Sequence, residues 1–571
     1  MIITISTGFF LRVDKLSLEG HNGISVFKKL SIASGVVPHH GVAQEIIEKF
    51  FKYISSKEKP ENIIILSPDH FNATNLVEKS FISVDISTKE FYDLAINNSL
   101  LEKLKNKNLA FDTYAIDFDH GITELLPYIK KSFPDSSILP IIIASKATKE
   151  DVEELIRSIN GYVGSKTIII ASVDFSHYLP PSAADLHDVK SIATLIDFKK
   201  SNFENIEADS WQSLYGTRYF AKLRNSESSN VIERGKSSDF MKYDDSIDKD
   251  GITSYFSVVF EKEDNRKTIE KGKTILIVGN MMFGGKIESF IKKNSPVYPF
   301  QKISQLLRGI DIVFGNMDGP IVKNPQSSSN DSLRFNFLPQ VADGLNWANF
   351  NLLSLANDHV MDEGESGLNE TKQFLKDKNI SFVGDPLKCT EDYYFKKDNV
   401  IFLAFNKVEI SSCSDEEIIN TINLVKSSNP EGFLVTTMYW EEEYKTTSSD
   451  FQQELAHKII EAGADVIVGY HPHIVQDIEI YKNKLIFYSL GDFIFDQSFS
   501  REIQDGLVVG VEIYDSRVLY RLLPIENYQN QPSLMTQKEN NQFLEKLASK
   551  SSLELSDKIK NGIIEIEQTN N

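Results

Sequence analysis

The chain has 571 residues, a formal net charge of −20 and a calculated isoelectric point near 5.1. So acidic a chain argues against the basic surface that sequence-independent binding to nucleic acid or docking on anionic lipid requires. Its hydrophobic content of 41% and charged content of 25% are those of a globular protein. Because the length exceeds what one hydrophobic core organises, we expect two to four domains.

Cysteine usage and the start of the chain bear on the compartment. Cys389 and Cys413 are too few for a disulfide framework, and this favours a reducing compartment. The first residues lack the basic flank and the long apolar stretch of a secretory signal. No window approaches the roughly 20 apolar residues that span a bilayer. We therefore expect a cytoplasmic protein without a transmembrane segment.

In the first half of the chain, short β-branched runs alternate with amphipathic helical patterns. This alternation is typical of α/β domains with largely parallel sheets. Helices are predicted at residues 42–55 and 149–159. Buried strands are predicted at residues 62–66, 137–144 and 167–172.

The composition changes before the middle of the chain. Residues 225–250 are rich in Ser, Asn, Asp and Lys, which predicts a long surface loop. Residues 253–260 alternate like an edge strand. The strongly charged residues 263–273 predict a linker, so we assign residues 1–262 to the first domain.

A second α/β series follows the charged segment, and we assign residues 274–527 to a second domain. Beyond it, residues 528–571 are polar and predict a tail or a peripheral helix pair. The strands predicted in the second domain are 274–278, 311–314, 352–355, 382–383, 400–405, 433–438, 466–468 and 485–488.

Most histidines fall where strands end or loops begin. Open α/β sheets bind ligands in the crevice at the carboxyl ends of their strands. Pro472 separates two of these histidines and stiffens their loop. A tight turn with two solvated imidazoles is the alternative for that pair. Seven of the eleven histidines have such positions: His39, His70, His120, His177, His359, His471 and His473.

Five stretches of the second domain resemble, in order, the motifs of the CapA-type proteins, which have calcineurin-like metallophosphatase folds and are associated with capsule and poly-γ-glutamate synthesis. The stretches are 316–321 (Asn-Met-Asp-Gly-Pro-Ile), 356–364 (Ala-Asn-Asp-His-Val-Met-Asp-Glu-Gly), 439–444 (Tyr-Trp-Glu-Glu-Glu-Tyr), 471–473 (His-Pro-His) and 488–497 (Tyr-Ser-Leu-Gly-Asp-Phe-Ile-Phe-Asp-Gln). The resemblance implies an α/β sandwich with a two-metal site for divalent Mn, Fe or Zn. The implied ligands are Asp318, Asp358, His359, His471 and His473.

Two positions depart from the CapA-type pattern. The first strand ends in Gly279-Asn280 where the family has Gly-Asp, and Tyr439 stands where the family has histidine. Asparagine brings no charge and bridges two metals poorly. Three interpretations stay open: a working site with altered ligands, a one-metal or metal-free binding site, and a scaffold retained for folding.

Five stretches of the first domain resemble the Memo-like family, whose bacterial and archaeal members are called AmmeMemoRadiSam system protein B. They are 37–41 (Val-Pro-His-His-Gly), 66–70 (Leu-Ser-Pro-Asp-His), 120–128 (His-Gly-Ile-Thr-Glu-Leu-Leu-Pro-Tyr), 138–141 (Ile-Leu-Pro-Ile) and 172–178 (Ser-Val-Asp-Phe-Ser-His-Tyr). The resemblance implies a sheet with flanking helices related to class III extradiol dioxygenases. His39 and His70 would then hold iron or copper.

By the same resemblance, His120, Asp174 and His177 would line the pocket as acid/base or supporting groups. Tyr215 stands where the family has a cysteine. The alternative is that these histidines cap strand ends and bond to the backbone.

The two resemblances together predict a two-domain α/β protein. The expected activity is metal-dependent hydrolysis of a phosphoester or a related bond, on a small molecule or a polymer precursor and not on nucleic acid. A catalytically degenerate metal- or ligand-binding scaffold is one alternative. A non-haem-metal redox enzyme centred on the first domain is another. The oligomeric state does not follow from the sequence.

Overall fold

A computed structural model describes most of the chain. The described residues are 31–198, 202–240, 251–262, 270–325, 334–390, 394–408, 413–440 and 442–568. Residues 263–269 of the predicted linker lie outside these ranges.

The N-terminal part is built on an eight-stranded sheet with the order β6-β3-β7-β2-β8-β1-β10-β9, beside the two-stranded ribbon β4-β5. Its strands are β1 Ile32–Val37, β2 Asn62–Pro68, β3 Phe81–Ser83, β4 Glu90–Phe91, β5 Leu94–Ala95, β6 Leu109–Phe111, β7 Ser137–Ile143, β8 Thr167–Ser172, β9 Ser228–Lys236 and β10 Ser254–Glu261. Its helices are α1 Gln44–Lys57, α2 Ala73–Val77, α3 Asn98–Leu104, α4 Thr113–Phe118, α5 His120–Thr123, α6 Leu126–Ser132, α7 Lys149–Tyr162, α8 Pro181–Ile196, α9 Trp211–Leu223 and α10 Ser237–Phe240.

The central strands β1, β2, β7 and β8 run parallel and are buried along nearly their whole length. Helices α1, α7 and α9 share one apolar core with them, which explains the unbroken β-branched runs. The three strands and two helices predicted for this region are confirmed. The carboxyl ends of β1, β2 and β8 lead directly into the stretches that carry His39, His70 and Asp174.

Two local predictions for this part are wrong. Of the segment predicted as a long surface loop, residues 228–240 form β9 and α10, because β9 obtains its hydrogen bonds by pairing antiparallel with β10. Residues 241–250 of that segment lie outside the described ranges. Strand β10 is not an edge strand, since it lies between β1 and β9 and every one of its residues is buried. Tertiary pairing overrides the polar composition of β9.

The C-terminal part is a sandwich of two sheets, one with the order β14-β13-β12-β11-β22-β23-β24, extended by β21 and β25, and one with the order β15-β16-β17-β18-β20-β19. The strands of the first sheet are β11 Lys273–Met281, β12 Ile312–Met317, β13 Leu352–Ser354, β14 Ser381–Val383, β21 Asp492–Ile494, β22 Asp505–Ile513, β23 Arg517–Tyr528, β24 Gln531–Leu534 and β25 Ile563–Glu567. Those of the second are β15 Phe395–Lys397, β16 Val400–Asn406, β17 Phe433–Tyr439, β18 Val466–Tyr470, β19 Ile478–Tyr481 and β20 Lys484–Phe487.

Helices cover the outer faces of the sandwich, and side chains of both sheets meet between them. Phe314 of β12 packs on Phe402 of β16 with ring centroids 4.9 Å apart, and the Tyr470 hydroxyl donates to the Val278 carbonyl at 3.1 Å. All eight strands predicted for this domain are present. The helices are α11 Gly285–Lys293, α12 Ser304–Leu307, α13 Val341–Trp347, α14 Gly364–Asp377, α15 Asp415–Ser428, α16 Asp450–Glu461, α17 Arg501–Gln504, α18 Gln537–Lys550 and α19 Ser556–Lys560.

Residues 528–571 contain the helix pair that is one of their two predicted forms, α18 and α19, but the segment is part of the sandwich and not a tail. Strands β24 and β25 both pair with β23, and α18 and α19 bury Leu544, Leu547 and Ile559 in the core between the two sheets. The apolar residues of this segment are spaced too widely among polar ones to reveal that packing in the sequence.

Helix α8 connects the two parts. Leu186 shares an apolar cluster with Leu276 and Val508 of the first C-terminal sheet. At the same contact, His187 Nε2 lies 3.1 Å from the Leu306 carbonyl oxygen. Lys190 Nζ also donates to the Ile310 carbonyl at 3.0 Å. Through these contacts α8 packs the N-terminal part of the chain against the sandwich.

The cysteines contradict the sequence interpretation. Cys389 and Cys413, 24 residues apart, form a disulfide bond. The reducing compartment is expected because two cysteines are too few for a disulfide framework, and a single disulfide bond weakens that reasoning, since such bonds are rare in reducing compartments. No helix within the described ranges combines the length and apolarity of a bilayer crossing.

Candidate metal centres

Three histidines converge at the carboxyl edge of the N-terminal sheet. The ring centroids of His70 and His120 are 3.9 Å apart, and those of His39 lie 4.8 Å from His70 and 5.2 Å from His120. One ring nitrogen of each lies within 4.8 Å of the others, as in a set of metal ligands. His39 is buried, His70 is half-buried and His120 is exposed, so the cluster opens to solvent.

His39 faces two carboxylates as well as the other rings. Its Nε2 is 3.6 Å from an oxygen of Asp174 and 3.6 Å from one of Asp209, while Ser172 Oγ lies 3.2 Å from its Nδ1. Burial, assisted by the positive charges of His70 and His120, holds the pKa of His39 well below its usual range. His39 is therefore a neutral imidazole with one nitrogen fixed, the form that binds metals.

Asp174 and Asp209 form a pair of crowded carboxyls. Asp209 accepts a hydrogen bond from the Asp174 backbone at 3.0 Å, and its other oxygen is buried without a partner. Burial raises the pKa of both groups, and the negative charge of Asp174 raises that of Asp209 further. A cation at His39 would relieve this repulsion, because it offers both carboxylates a counter-charge.

Asp119 orients His70. Its carboxylate lies 3.0 Å from His70 Nδ1 and accepts from the backbone of Gly121 at 2.9 Å. Against its burial, the hydrogen bond and charge of His70 hold the pKa of Asp119 below its usual range. An ionised carboxylate only accepts, so Nδ1 carries the proton and Nε2 keeps its lone pair for a metal.

The remaining N-terminal candidates have different surroundings. His177 is half-buried beside Asp174, and its burial lowers its pKa. His120 starts helix α5, and the partial desolvation of its exposed ring, followed by the charge of His70, lowers its pKa. Tyr215 lies elsewhere: its hydroxyl donates to Glu153 at 2.5 Å and its ring packs on Phe198, Phe203 and Tyr219.

In the sandwich, the candidate ligands lie beyond the carboxyl ends of β12, β13 and β18. Asp318 follows β12, Asp358 and His359 follow β13, and His471 and His473 follow β18. His471 and His473 both have positive φ, at 94° and 60°. Such backbone strain in non-glycine residues is concentrated at functional sites. The ring centroids of the two histidines are 6.1 Å apart.

A ladder of buried amides crosses this edge. Asn357 donates to Asn316 at 3.0 Å, Asn316 donates to Asn280 at 3.0 Å, and Asn280 donates to Asp492 at 3.2 Å. Asp492 also fixes His473 Nδ1 at 2.9 Å. Asn280 thus spends both its carbonyl and its amide on neighbours, and it is poorly placed to bridge two metals.

Several donor atoms beside the ladder are buried without a hydrogen-bond partner. They include both carboxylate oxygens of Asp318, one oxygen each of Asp358 and Asp492, and His471 Nδ1, with the Tyr439 hydroxyl close to Asp318 and Asp358. Leaving a buried polar group unpaired is costly, most of all for a carboxylate. These unpaired atoms are available to contact a ligand.

The ionisable side chains of the crevice shift one another's pKa. Against burial, the Asp362 hydrogen bond and the charges of Asp318 and Asp358 raise the pKa of His359 to about 9. Burial raises the pKa of Asp318 to about 6.

The two histidines of the His-Pro-His stretch shift in opposite directions. Against burial, Asp492 raises the pKa of His473 to about 9. Burial, followed by the charge of His473, lowers the pKa of His471 to about 4. The negative carboxylates attract positive charge, which suits a cation.

The two centres differ in how closely their ligands converge. Among the described residues, the groups of three ligating side chains within 4.8 Å of one another are both N-terminal: His39 with His70 and His120, and His39 with Asp174 and Asp209. The sequence interpretation missed Asp119, Asp209 and Asp492. Asp119 and Asp492 lie inside quoted or adjacent motifs and could have been found, whereas Asp209 lies in a loop without any motif.

Comparison with known proteins assigns each part. Residues 21–259 match the family model described as Memo-like protein, and residues 274–497 match that of the bacterial capsule synthesis protein PGA_cap. The N-terminal part of the chain thus matches the Memo-like family, and the C-terminal part matches the CapA-type family. The expected two α/β domains, the first Memo-like and the second CapA-type, are confirmed.

Relatives of each domain are distant. The CapA-type domain resembles the capsule biosynthesis protein CapA of Bacillus anthracis, at 27% identity over 46% of this chain and 69% of the relative. It also resembles the PGA biosynthesis protein CapA of Bacillus subtilis, at 29% over 40% and 65%. The Memo-like domain resembles a MEMO1 family protein of Caldivirga maquilingensis, at 25% over 31% and 64%. The chain spans about two thirds of the length of each relative.

Proposed function

We propose that the CapA-type domain is a metal-dependent hydrolase for a phosphoester or a related bond, with a small molecule or a polymer precursor as substrate. The observation that carries this proposal is the cluster of buried, unpartnered oxygen and nitrogen atoms at the strand ends. Oxygen and imidazole donors at the carboxyl edge of an α/β sheet are the ligands that divalent Mn, Fe and Zn use.

The donors fit one divalent cation better than a bridged pair. Asp318, Asp358 and His471 each offer an unpartnered atom, whereas Asn280 is committed to the amide ladder. A bound cation would lower the pKa of a coordinated water and stabilise charge on a phosphoryl oxygen. The altered residues Asn280 and Tyr439 thus favour a changed site over the two-metal site that the resemblance implies.

The neighbouring histidines complete the crevice. Asp362 holds His359 Nδ1 at 3.1 Å and Asp492 holds His473 Nδ1, which leaves the second nitrogen of each ring to bind metal or to donate to a substrate oxygen. The Tyr439 hydroxyl lies beside Asp318 and Asp358, and burial together with these two carboxylates raises its pKa, so it stays a protonated donor. Because the crevice is buried, these groups act in a medium of low dielectric constant, where their electrostatic effect is large.

Hydrolysis of p-nitrophenyl phosphate and bis(p-nitrophenyl) phosphate tests the proposal, after chelation and after addition of Mn²⁺ or Zn²⁺. We expect metal-dependent activity that Asp318→Asn lowers by at least about 100-fold, since changes behind metal ligands already cost 10- to 100-fold. His457→Gln is the matched control, because His457 lies on α16 away from the crevice and pairs with Glu479 of β19. Activity that survives chelation contradicts a metal-dependent site.

A second substitution separates a working site from a degenerate scaffold. Asn280→Asp would place a carboxylate about 3.2 Å from Asp492, so the variant should be less stable than wild type without metal. If the crevice binds a cation, Mn²⁺ should restore the melting temperature of the variant more than it raises that of wild type. Equal behaviour of the two proteins with and without Mn²⁺ favours the scaffold.

We further propose that the Memo-like domain binds iron or copper through His39 and His70. The convergence of three imidazoles supports this, with His120, Asp174 and His177 lining the pocket. Elemental analysis of the intact chain beside a His39→Ala/His70→Ala variant tests it, and equal metal content in both contradicts it. A redox reaction at this centre is the second candidate function, and metal reduction by ascorbate followed by oxygen uptake would measure it.

A further inference from the structure

A cavity of about 330 Å³ lies between helix α18 and the loops that follow the CapA-type crevice residues. We call it the α18 cavity. Its walls are Thr446, Thr447, Ile474, Val475, Glu502, Asp505, Phe543, Lys546, Leu547, Ser549 and Lys550. Its volume is at the lower end of the range for small-molecule sites. Helix α18 lies beyond both regions matched by the family models.

Two carboxylates and two ammonium groups line this wall, and three of these four groups have an ion-pair partner. Glu502 pairs with Lys546 at 3.1 Å, and Asp505 pairs with Arg501 at 2.7 Å. Lys550 instead donates to two neutral acceptors, the carbonyls of Val475 at 2.5 Å and Thr446 at 3.0 Å.

An ammonium group has three donors, so two carbonyls leave Lys550 with one donor and its full charge. The charges of Asp477 and Glu502 act on Lys550, but the two carboxylate oxygens of Asp477 accept hydrogen bonds from Ser448 and Glu502 pairs with Lys546. Burial lowers the pKa of Lys550 to about 8, in keeping with a cation that the protein compensates poorly.

The rest of the wall is apolar. Ile474, Val475, Phe543 and Leu547 supply hydrocarbon surface beside the ammonium group. A cavity with an apolar wall and one ammonium group that lacks an ion-pair partner complements a ligand that has an apolar body and a negative charge. We infer that the α18 cavity binds a small organic anion with an apolar body, a carboxylate or a phosphate monoester, whose charged end contacts Lys550.

The position of the cavity suits an accessory site of the crevice. Ile474 and Val475 directly follow His473 in the chain, and Lys550 holds the carbonyl of Val475. An occupant would therefore contact the same short segment that carries two crevice histidines. The binding inference itself does not depend on the hydrolase proposal, because it rests on the charge and shape of the α18 cavity.

Binding of three six-carbon probes to the intact chain tests this inference. We expect hexanoate or hexyl phosphate to bind in calorimetry and to raise the melting temperature, and hexan-1-ol to bind at least 10-fold more weakly. Lys550→Met should weaken the binding anion by about 10- to 100-fold, the usual worth of a hydrogen bond to a charged group. Lys538→Met, on the exposed part of the same helix, is the matched control and should change nothing.

Two further variants keep the result interpretable. Ser549→Trp, at the exposed rim, should block the anion without disturbing the core. Binding that persists in Asp318→Asn separates this cavity from the crevice, so failure of the hydrolase proposal leaves the inference standing. Binding of only one of the two anions supports the inference and identifies the head group. Absence of binding by both anions, equal binding of the alcohol, or unchanged affinity in Lys550→Met overturns it.

Discussion

Asp119 allows a sharp test of the Memo-like metal centre through Asp119→Asn. The substitution keeps the size of a side chain that is 1% exposed, but it replaces one oxygen by an amide that donates. Beside His70 Nδ1, 3.0 Å away, the amide favours the tautomer with its proton on Nε2. That proton must leave Nε2 before this nitrogen can bind a metal.

Loss of such a supporting carboxylate typically lowers metal affinity 10- to 100-fold, or roughly 1.4–2.8 kcal/mol. Titration of the metal-free protein with Zn²⁺ would measure it, scoring the binding event that His39→Ala removes. Asp69→Asn is the matched control, because the hydrogen bonds of Asp69 come from Ala73 and Thr74 and not from His70. Unchanged affinity in a folded Asp119→Asn protein would refute the role given to Asp119.

Three further predictions concern stability. Burial lowers the pKa of His187 to about 4, so the folded protein keeps this histidine neutral and unfolding takes up a proton between pH 6.5 and 4. Over that pH range the free energy of unfolding of wild type, measured by urea titration, should fall by up to about 3 kcal/mol. That of His187→Gln should fall by less. Gly469→Ala would place Cβ 1.9 Å from the Tyr488 carbonyl oxygen and should cost at least about 1–3 kcal/mol, whereas Gly164→Ala, with open space around it, should be nearly neutral; similar melting temperatures would contradict this. Replacing Cys389 and Cys413 by serine should cost about 3 kcal/mol, and dithiothreitol should destabilise wild type by a similar amount and leave the variant unchanged.

The sequence revealed the parts of the fold in which local pattern and packing agree. Strands such as β2 and β8 are buried on both faces, so their β-branched runs are unbroken and easily recognised. Strand β9 is mostly half-buried and polar, and only its pairing with β10 makes it a strand. The C-terminal strands β24 and β25 escaped for the same reason, because they add to an existing sheet.

The candidate sites divide in the same way. Motif histidines at strand ends could be recognised from sequence, since a buried strand dictates where its last side chains lie. Asp209 could not, because it reaches His39 from a loop whose path depends on the whole fold. The commitment of Asn280 to a ladder of amides is likewise a tertiary fact, as its partners Asn316 and Asp492 come from distant parts of the chain.

The contact made by helix α8 has a consequence for the architecture of the gene product. A chain cut between residues 262 and 270 should yield two pieces that stay together through gel filtration, since Leu186 remains inserted against the sandwich. A Memo-like piece produced alone would expose that apolar surface and leave Lys190 without its carbonyl partner. Replacing either domain by a free-standing relative would therefore require substitutions in α8 that restore its contacts with the sandwich.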